Sequence, residues 1–342
     1  MKPYHELSSG GKLRRLRELA LAALAQYDLD RPRLVYHAFE TNLLYRVTTA
    51  SGERYMLRLA SPDWRTFEDL RSEAWWLEAL RRDTTLAVPS IVRARSGEAV
   101  LPMSAPGIPD IWHASLMSWV PGRLLRYYLS ERNLAKMGSL FARLHLHGAS
   151  WMPPEGFSSR RFEHWLSRGE ENLIAPDAGA AGATTQPDHV AALPPRARDL
   201  LQRLHHHVES AYAAVDRSDL RVIHCDLWHD NVKLYRGVLQ PLDFEDTVWG
   251  FRVHDIAMGM LDLLEDTDEG RYAELLPAFR RGYEAHLPWP EDPIEPFQVG
   301  RLLWKINWVA LQQPQWLSSM VGRHIPLLKH YERTGEVLRP PA

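Results

Sequence analysis

The most informative part of the sequence is residues 222–231, which read VIHCDLWHDN. Two β-branched residues predict a short strand, and the polar residues after them predict a loop in which Asp226 precedes Asn231 by five positions. Twelve residues after Asn231 a second apolar run ends at the sequence LDFED, so Asp243 also lies in a polar turn that follows a strand. A carboxylate accepts a proton from a reacting hydroxyl, and Mg²⁺ prefers oxygen ligands such as those of Asp and Asn. The two loops together therefore carry the groups that phosphoryl transfer requires.

These loops resemble the catalytic and metal-binding loops of the aminoglycoside phosphotransferase and choline kinase superfamily. The pattern His-x-Asp-x-x-x-x-Asn, followed by a second Asp, is shared with protein kinases. The resemblance covers the chain from about residue 30 to about residue 315 and is typical of a bacterial branch. That branch includes a stress-response Ser/Thr kinase and homoserine-kinase-like enzymes. The other segments that carry the resemblance are residues 55–59, 71–73, 76–81, 118–123 and 141–145.

The resemblance implies a role for each polar residue of the two loops. Asp226 is the expected catalytic base, and Asn231 and Asp243 are the expected ligands of Mg²⁺. The structural alternative is that Asp226 and Asn231 only form a turn, as Asp and Asn often do. The recurrence of a carboxylate at Asp243 favours the catalytic interpretation.

Several neighbouring residues have supporting roles by the same resemblance. His224 is expected to brace the catalytic loop from beneath, and His254 with Asp255 is expected to anchor the following helix to that loop. Glu245 and Asp246 either assist the metal or form a solvated acidic turn. We treat His224, His254 and Asp255 as structural.

The first part of the chain departs from the protein-kinase pattern at its phosphate-binding residues. No G-x-G-x-x-G loop is present, and Asn42, between two predicted strands, is expected to contact the nucleotide phosphates instead. Arg58 stands where relatives carry a phosphate-binding Lys, and Glu73 is its expected partner. The planar guanidinium can hold phosphate through two hydrogen bonds. The alternative is an ordinary exposed Arg–Glu pair, which contributes little to stability.

The base of the nucleotide is expected beneath the segment that connects the two parts of the chain. Residues 117–120 form the end of an apolar strand, and their backbone groups can hydrogen-bond the edge of adenine. Met117 and Trp119 are therefore candidate nucleotide-binding residues.

Hydrophobic periodicity predicts strands over 33–37, 43–49 and 55–59, a helix over 66–82, a hairpin of 90–94 with 99–103, and a strand over 112–120. Helical patterns dominate after residue 122. These patterns predict an α+β chain with a small antiparallel sheet in its N-terminal lobe and a mostly helical C-terminal lobe. The resemblance implies that the two lobes form a bilobal, protein-kinase-like fold. The expected boundaries are residues 1–117 for the nucleotide-binding lobe, 118–122 for the hinge and 123–342 for the lobe with the catalytic loop, the metal loop and the acceptor site.

Composition excludes several other classes of protein. The chain has 342 residues, of which 41 are basic and 43 acidic, so its net charge is −2. This balance argues against nucleic acid as a partner, since nucleic-acid binders usually carry a basic surplus. No apolar run approaches the roughly 18 residues that span a bilayer, so no membrane partner is expected. A single cysteine, Cys225, permits no internal disulfide and suits a cytoplasmic protein.

The sequence therefore predicts an ATP- and Mg²⁺-dependent kinase that transfers the γ-phosphate to a hydroxyl group. A small-molecule alcohol is the preferred acceptor, and a protein Ser/Thr hydroxyl is the second choice. A rival hypothesis is a catalytically silent nucleotide-binding protein of the same fold, which the missing glycines and the missing Lys favour. The presence of Asp226, Asn231 and Asp243 opposes that rival.

Overall fold

The structure is a computed structural model that describes residues 2–157, 160–166, 170–175 and 187–338. In chain order, the helices and strands are α1 (Ser9–Leu24), β1 (Arg33–Phe39), β2 (Asn42–Thr48), β3 (Arg54–Ala60), α2 (Phe67–Asp83), β4 (Ile91–Val92), β5 (Val100–Met103), β6 (Trp112–Ser118), β7 (Arg123–Leu124), α3 (Glu131–Ser150), β8 (Arg161–Phe162), α4 (Asp188–Ala191), α5 (Pro195–Ala214), β9 (Arg221–Ile223), β10 (Val232–Tyr235), β11 (Val238–Pro241), β12 (Val248–Gly250), α6 (Arg252–Asp266), α7 (Glu269–Glu284), α8 (Glu295–Gln312) and α9 (Leu317–Thr334). Among the described residues, no helix is long and apolar enough to cross a membrane.

The chain divides into two compact units. Unit 1 consists of Met1–Arg123, Trp151–Ser158 and Lys233–Thr247, and unit 2 consists of Leu124–Ser150, Ser159–Val232 and Val248–Ala342. Unit 1 contains the antiparallel sheet and unit 2 contains most of the helices, as the α+β class requires.

This division differs from the boundaries expected from the sequence. The expected hinge, residues 118–122, lies inside unit 1, and so does Lys233–Thr247, which we had placed in the C-terminal lobe. The physical reason is aromatic packing. Phe244 is almost completely buried, and its ring packs edge-on against Trp76 of α2, with 5.5 Å between the ring centroids. Asp243 is thereby carried by unit 1.

The main sheet of unit 1 has the order β1-β2-β3-β6-β4, with β5 also paired to β6. The expected hairpin of 90–94 with 99–103 is wrong, because β4 and β5 do not pair with each other. Instead β4 pairs with Met117 and Leu116 of β6, and β5 pairs with the preceding residues of the same strand. Two short segments thus cover one edge of a seven-residue strand, which would otherwise expose unpaired backbone groups.

Helix α2 carries Glu73 into the interior of unit 1. Thr66 caps the helix: its hydroxyl accepts a hydrogen bond from the Asp69 N–H, and the Asp69 carboxylate accepts one from the Thr66 N–H. Leu70, Ala74 and Leu77 form the apolar face. Glu73 lies in the same buried region of the helix, so its carboxylate must be paired there.

Unit 2 is built on the close packing of α3 against α7 and β9. A Cβ atom at Gly138 would lie 1.9 Å from the carbonyl oxygen of Phe279, and one at Gly282 would lie 1.8 Å from that of Ala135. Glycine is thus required on both helices where the backbones approach. A Cβ at Gly148 would likewise lie 2.0 Å from the carbonyl oxygen of Val222, on the strand that leads into the catalytic loop.

We expect Gly138→Ala to destabilise the protein. Separating α3 from α7 to admit the methyl group should cost about 1–3 kcal/mol, as overpacking does. This exceeds the roughly 1 kcal/mol that alanine gains over glycine in helix propensity. Thermal unfolding measures the difference. Gly322→Ala in α9 is the matched control, because nothing lies within 4 Å of its added Cβ, and its Tm should equal or exceed that of the wild type. A wild-type Tm for Gly138→Ala would contradict the packing.

Candidate active site

The catalytic loop begins where the buried strand β9 ends, and a carboxylate from α6 holds it. Cys225 has φ of 67°, in the left-handed region that costs energy for a residue with a side chain. Its N–H donates a hydrogen bond to Oδ1 of Asp255, at 2.7 Å. Asp255 is completely buried, so this bond is shielded from water. The expected anchoring of α6 to the loop by Asp255 is confirmed, and the strained backbone of Cys225 directs the next residue, Asp226.

Asp255 is in turn held by a buried histidine. Its Oδ2 lies 2.9 Å from Nε2 of His145 on α3, and Nδ1 of His145 lies 2.9 Å from the hydroxyl of Tyr283 on α7. Burial lowers the pKa of His145, so the ring is neutral near pH 7. Although burial raises the pKa of Asp255, its hydrogen bonds with His145 and Cys225 bring the pKa below its ordinary value. Nε2–H of His145 therefore donates to the charged carboxylate, and the tyrosine hydroxyl donates to Nδ1.

The expected brace, His224, is also completely buried and acts electrostatically on Asp255. The second histidine, His254, lies with Nε2 3.7 Å from Sγ of Cys225 and with Nδ1 hydrogen-bonded to the hydroxyl of Tyr212. Burial lowers the pKa of His254 to about 3, so this ring stays neutral over the physiological range. Its contacts are those of a structural residue.

Asp226 and Asn231 are hydrogen-bonded to each other. Nδ2 of Asn231 donates to the main-chain oxygen of Asp226 at 2.8 Å and to its Oδ2 at 3.0 Å. The side chain of Asp226 is 23% exposed, which leaves the carboxylate accessible from solvent. Because the amide nitrogen of Asn231 is used within the loop, its oxygen is the atom suited to a hard cation such as Mg²⁺.

The sequence reasoning missed one residue of this site, Arg301. Its Nη2 lies 3.0 Å from Oδ1 of Asp226, although the two residues are 75 positions apart. The sequence signal that could have identified Arg301 is the partly exposed face of α8. Arg301, Trp304, Lys305 and Trp308 recur at helical spacing, and none of the four is fully buried.

Unit 1 contains a buried cluster of one guanidinium and two carboxylates. Arg58 on β3 bonds both oxygens of Glu73 on α2, and its Nη1 lies 3.6 Å from Oε2 of Glu245. The side chains of Arg58 and Glu73 are 4% and 2% exposed. Burial alone would lower the pKa of Arg58, but the two carboxylates raise it above its ordinary value. The alternative of an exposed surface pair is therefore wrong, because β3 lies inside the sheet, between β2 and β6.

Glu245 and Asp246 are not a solvated acidic turn. Glu245 is 6% exposed, and it accepts hydrogen bonds from Nδ2 of Asn42 and, at 2.8 Å, from Nε1 of Trp64. Asp246 forms an ion pair with Arg65, whose Nε also donates to the main-chain oxygen of Glu245. These contacts fasten the metal loop to the rest of unit 1. Asn42, expected to contact phosphates, is buried and uses its amide nitrogen on Glu245.

Asp243 has the surroundings expected of a ligand residue. Its side chain is exposed, and its backbone has φ of 57° in the left-handed region, directly before the short 3₁₀ helix Phe244–Asp246. Strained backbone of this kind occurs often at functional sites. Within the described part of the chain, no group of three or more His, Cys, Asp or Glu side chains is arranged to hold a metal.

Met117 lies near the end of β6, and Trp119 directly follows that strand. Some backbone N–H groups of this segment already donate hydrogen bonds within the protein. The N–H of Ser118 donates to the carbonyl of Ser90, and that of Trp119 donates to the carbonyl of Arg54. The ring of Trp119 lies beneath two cations, with Nζ of Lys233 4.8 Å from its centroid. These two N–H groups are thus engaged within the protein.

Comparison with known protein families identifies the family to which the chain belongs. The chain matches the phosphotransferase enzyme family over residues 38–292, which is more than half of its length. A comparison with curated protein sequences gave no match.

Solved structures with the same fold are kinases and phosphotransferases. The amicoumacin kinase hAmiN, in complex with AMP-PNP, Ca²⁺ and Ami, has a TM-score of 0.74 at 15% identity, over 93% of this chain and 96% of that one. A microcompartment-associated aminopropanol kinase has a TM-score of 0.73 at 22% identity, over 95% and 100%. The spectinomycin phosphotransferase APH(9)-Ia, in complex with ADP and spectinomycin, has a TM-score of 0.61 at 10% identity, over 91% and 94%. The α+β, bilobal, kinase-like fold is thereby confirmed, and the chain belongs to the phosphotransferase enzyme family.

Proposed function

We propose that this protein transfers the γ-phosphate of ATP to a hydroxyl group of a small molecule, in a reaction that depends on Mg²⁺. The observation that carries the proposal is the carboxylate of Asp226, which is accessible and is held through both of its oxygens, by Asn231 and Arg301. A general base needs this combination of access and fixed orientation. In this mechanism Asp226 accepts the proton of the acceptor hydroxyl as that oxygen attacks the γ-phosphorus.

Except for Asn231, the residues proposed to bind the nucleotide and its metal belong to unit 1. Asp243 supplies a carboxylate ligand and Asn231 of the catalytic loop an amide oxygen, and Mg²⁺, when bound, compensates the charge of the phosphates. Arg58 is proposed to contact the phosphates through its guanidinium, which Glu73 orients. Asn42 sets the position of Glu245 and lines the phosphate site. Met117 and Trp119 are proposed to enclose the adenine.

The acceptor is proposed to be an amino alcohol. A cleft of about 600 Å³ in unit 2 is lined by residues that include Glu265, Asp266 and Lys305. Although burial raises the pKa of Glu265, hydrogen bonds with His324 and Lys305 and their charges lower it to about 2, so it is charged near pH 7. The lining also contains Arg323 and His324, and Glu265 already pairs with Lys305 and His324, so the cleft offers both carboxylates and cations to a ligand. The structurally similar proteins also include kinases of aminopropanol and amicoumacin.

The cleft adjoins the catalytic loop at two points. Asp266 is hydrogen-bonded to Nε2 of His229, three residues after Asp226, at 2.9 Å. Lys305 lies one helical turn after Arg301, which contacts Asp226. A ligand of the size of an amino alcohol fits a cleft of this volume.

Turnover of MgATP against a panel of acceptors tests the proposal. The panel contains ethanolamine, 1-amino-2-propanol, spectinomycin, a neutral sugar and a generic protein substrate. We expect ADP formation that depends on an acceptor with an amino group and a hydroxyl. Phosphorylation of the protein substrate alone would favour a Ser/Thr kinase. Binding of MgATP without turnover of any acceptor would favour the catalytically silent, nucleotide-binding alternative.

We expect Asp226→Asn to lower kcat by about a hundredfold or more, because the amide cannot accept the proton that a general base removes. The dissociation constant of MgATP, measured by calorimetry, should change little. Asp199→Asn, at an exposed position of α5, is the control and should keep wild-type turnover. Full kcat in Asp226→Asn would show that another group is the base.

We expect Asp243→Ala to weaken MgATP binding and to remove its dependence on Mg²⁺, because the variant loses a carboxylate ligand. Calorimetry with and without Mg²⁺ measures both effects. Asp63→Ala removes an exposed carboxylate of unit 1 that has no proposed role, and it should bind like the wild type. Unchanged affinity and metal dependence in Asp243→Ala would exclude the metal role.

We expect Arg58→Ala and Arg58→Lys to affect the protein differently. The alanine variant leaves the carboxylates of Glu73 and Glu245 buried without their cation, so it should lose about 3–5 kcal/mol of stability. The lysine variant keeps the charge but loses one arm of the fork, so it should bind MgATP about tenfold more weakly. Chemical denaturation and calorimetry separate the two effects. Wild-type affinity in Arg58→Lys would restrict Arg58 to a structural role.

A further inference from the structure

The carboxylate of Asp226 is held on both sides by residues from different parts of unit 2. Asn231, on the same loop, donates to Oδ2 at 3.0 Å. Arg301, on α8, lies with Nη2 3.0 Å from Oδ1. A carboxylate that makes only the first contact can still turn about its Cβ–Cγ bond, because that torsion is soft. The second contact removes this freedom.

Arg301 is itself fixed before any substrate arrives. Its side chain is 15% exposed, and its guanidinium carbon lies 4.5 Å from the centroid of the Trp304 ring, one turn further along α8. Nε1 of Trp304 donates to Oε1 of Glu170 at 2.9 Å, which holds the indole in place. A stacked, planar guanidinium loses little further entropy when it forms hydrogen bonds. The helix therefore presents a preformed donor to Asp226.

We propose that Arg301 is a positioning residue for phosphoryl transfer, which aims Asp226 at the acceptor hydroxyl through the contact with Oδ1. This inference rests on the function proposed above. Residues 227–230 of the catalytic loop are Leu, Trp, His and Asp, so none of them is a Lys or an Arg. The charge that orients the base is supplied by a helix far away in sequence.

In the proposed step, one P–O bond forms and another breaks. The acceptor oxygen forms a bond to the γ-phosphorus while the bond from that phosphorus to the bridging oxygen of ADP breaks, and ADP leaves with the electron pair. The acceptor proton moves to a carboxylate oxygen of Asp226 and is later released to solvent. Arg301 keeps its protons throughout and forms no bond to substrate. Its contribution is orientation, which affects the transition state and leaves nucleotide binding alone.

The test compares Arg301→Gln and Arg301→Lys with a matched control. Arg280 on α7 also pairs with a carboxylate, Glu284, at 2.8 Å and also lies over a Trp ring, that of Trp289, but it is far more exposed. Arg280→Gln should therefore have wild-type kcat. We expect Arg301→Gln to lose roughly tenfold to a hundredfold in kcat, as for one charge-assisted hydrogen bond. Arg301→Lys should recover part of that loss. The dissociation constant of MgATP should stay within about twofold in all three variants.

A double-mutant cycle identifies the residue through which Arg301 acts. In the Asp226→Asn background there is no base to aim, so adding Arg301→Gln should lower the residual rate by less than about twofold. Residual rates are measured as ADP release from MgATP, with the best acceptor of the panel and with water alone as the acceptor. Thermal unfolding of each variant, followed in parallel, shows that the rates are compared between folded proteins.

Three results would overturn the inference. The first is wild-type kcat in Arg301→Gln, and the second is an equal loss in the presence and absence of the Asp226 carboxylate. The third is a parallel loss of Tm, kcat and nucleotide affinity in both Arg301 variants, which indicates a purely structural role. Failure of the proposed function is distinguishable from all three, because the wild-type protein itself would then release no ADP, and the positioning role would be excluded with it.

Discussion

The hydrogen bond from the N–H of Cys225 to the buried carboxylate of Asp255 is the constraint on which the catalytic part of unit 2 depends. A buried carboxylate must be satisfied by hydrogen bonds, and Asp255 is satisfied by the loop on one side and by His145 on the other. Asp255 therefore connects the loop to both α6 and α3. Because Cys225 adopts a left-handed backbone there, the direction of Asp226 is set by the fold before any substrate binds.

Three glycines outside the catalytic loop allow the helices and strand around Asp255 to pack closely enough for these hydrogen bonds. Gly148 lets α3 lie directly on β9, and Gly138 with Gly282 lets α7 approach α3 until Tyr283 reaches His145. Each of these close approaches excludes even a methyl group. The chain Tyr283, His145, Asp255 and Cys225 thus connects the close backbone packing at these glycines to the loop that carries Asp226.

The main electrostatic feature of unit 1 is a buried cluster of charged side chains. The guanidinium of Arg58 is buried beside the carboxylates of Glu73 and Glu245, and the buried guanidinium of Arg65 adds a second positive charge that acts on Glu73. Hydrogen bonds from Asn42 and Trp64 satisfy the carboxylate of Glu245. Glu245 is two residues after Asp243. The buried network around Glu245 fixes the short 3₁₀ helix Phe244–Asp246, and Asp243, whose carboxylate is exposed, directly precedes that helix. The carboxylate of Glu245 is thus buried within the network, whereas that of Asp243, two residues earlier, is exposed.

The sequence by itself determined the class of the fold, the strands around Arg58, the capped helix with Glu73 and the two loops with Asp226, Asn231 and Asp243. These features follow from local periodicity, capping and motif spacing, all of which are visible within a few neighbouring residues. Tertiary structure alone decided that β4 and β5 share one edge of β6, that Lys233–Thr247 packs within unit 1, that Arg58 and Glu245 are buried, and that Arg301 contacts Asp226. Each of these depends on contacts between segments that are far apart in the chain. A sequence pattern records which face of an element is apolar, but it does not record which distant side chain that face will meet.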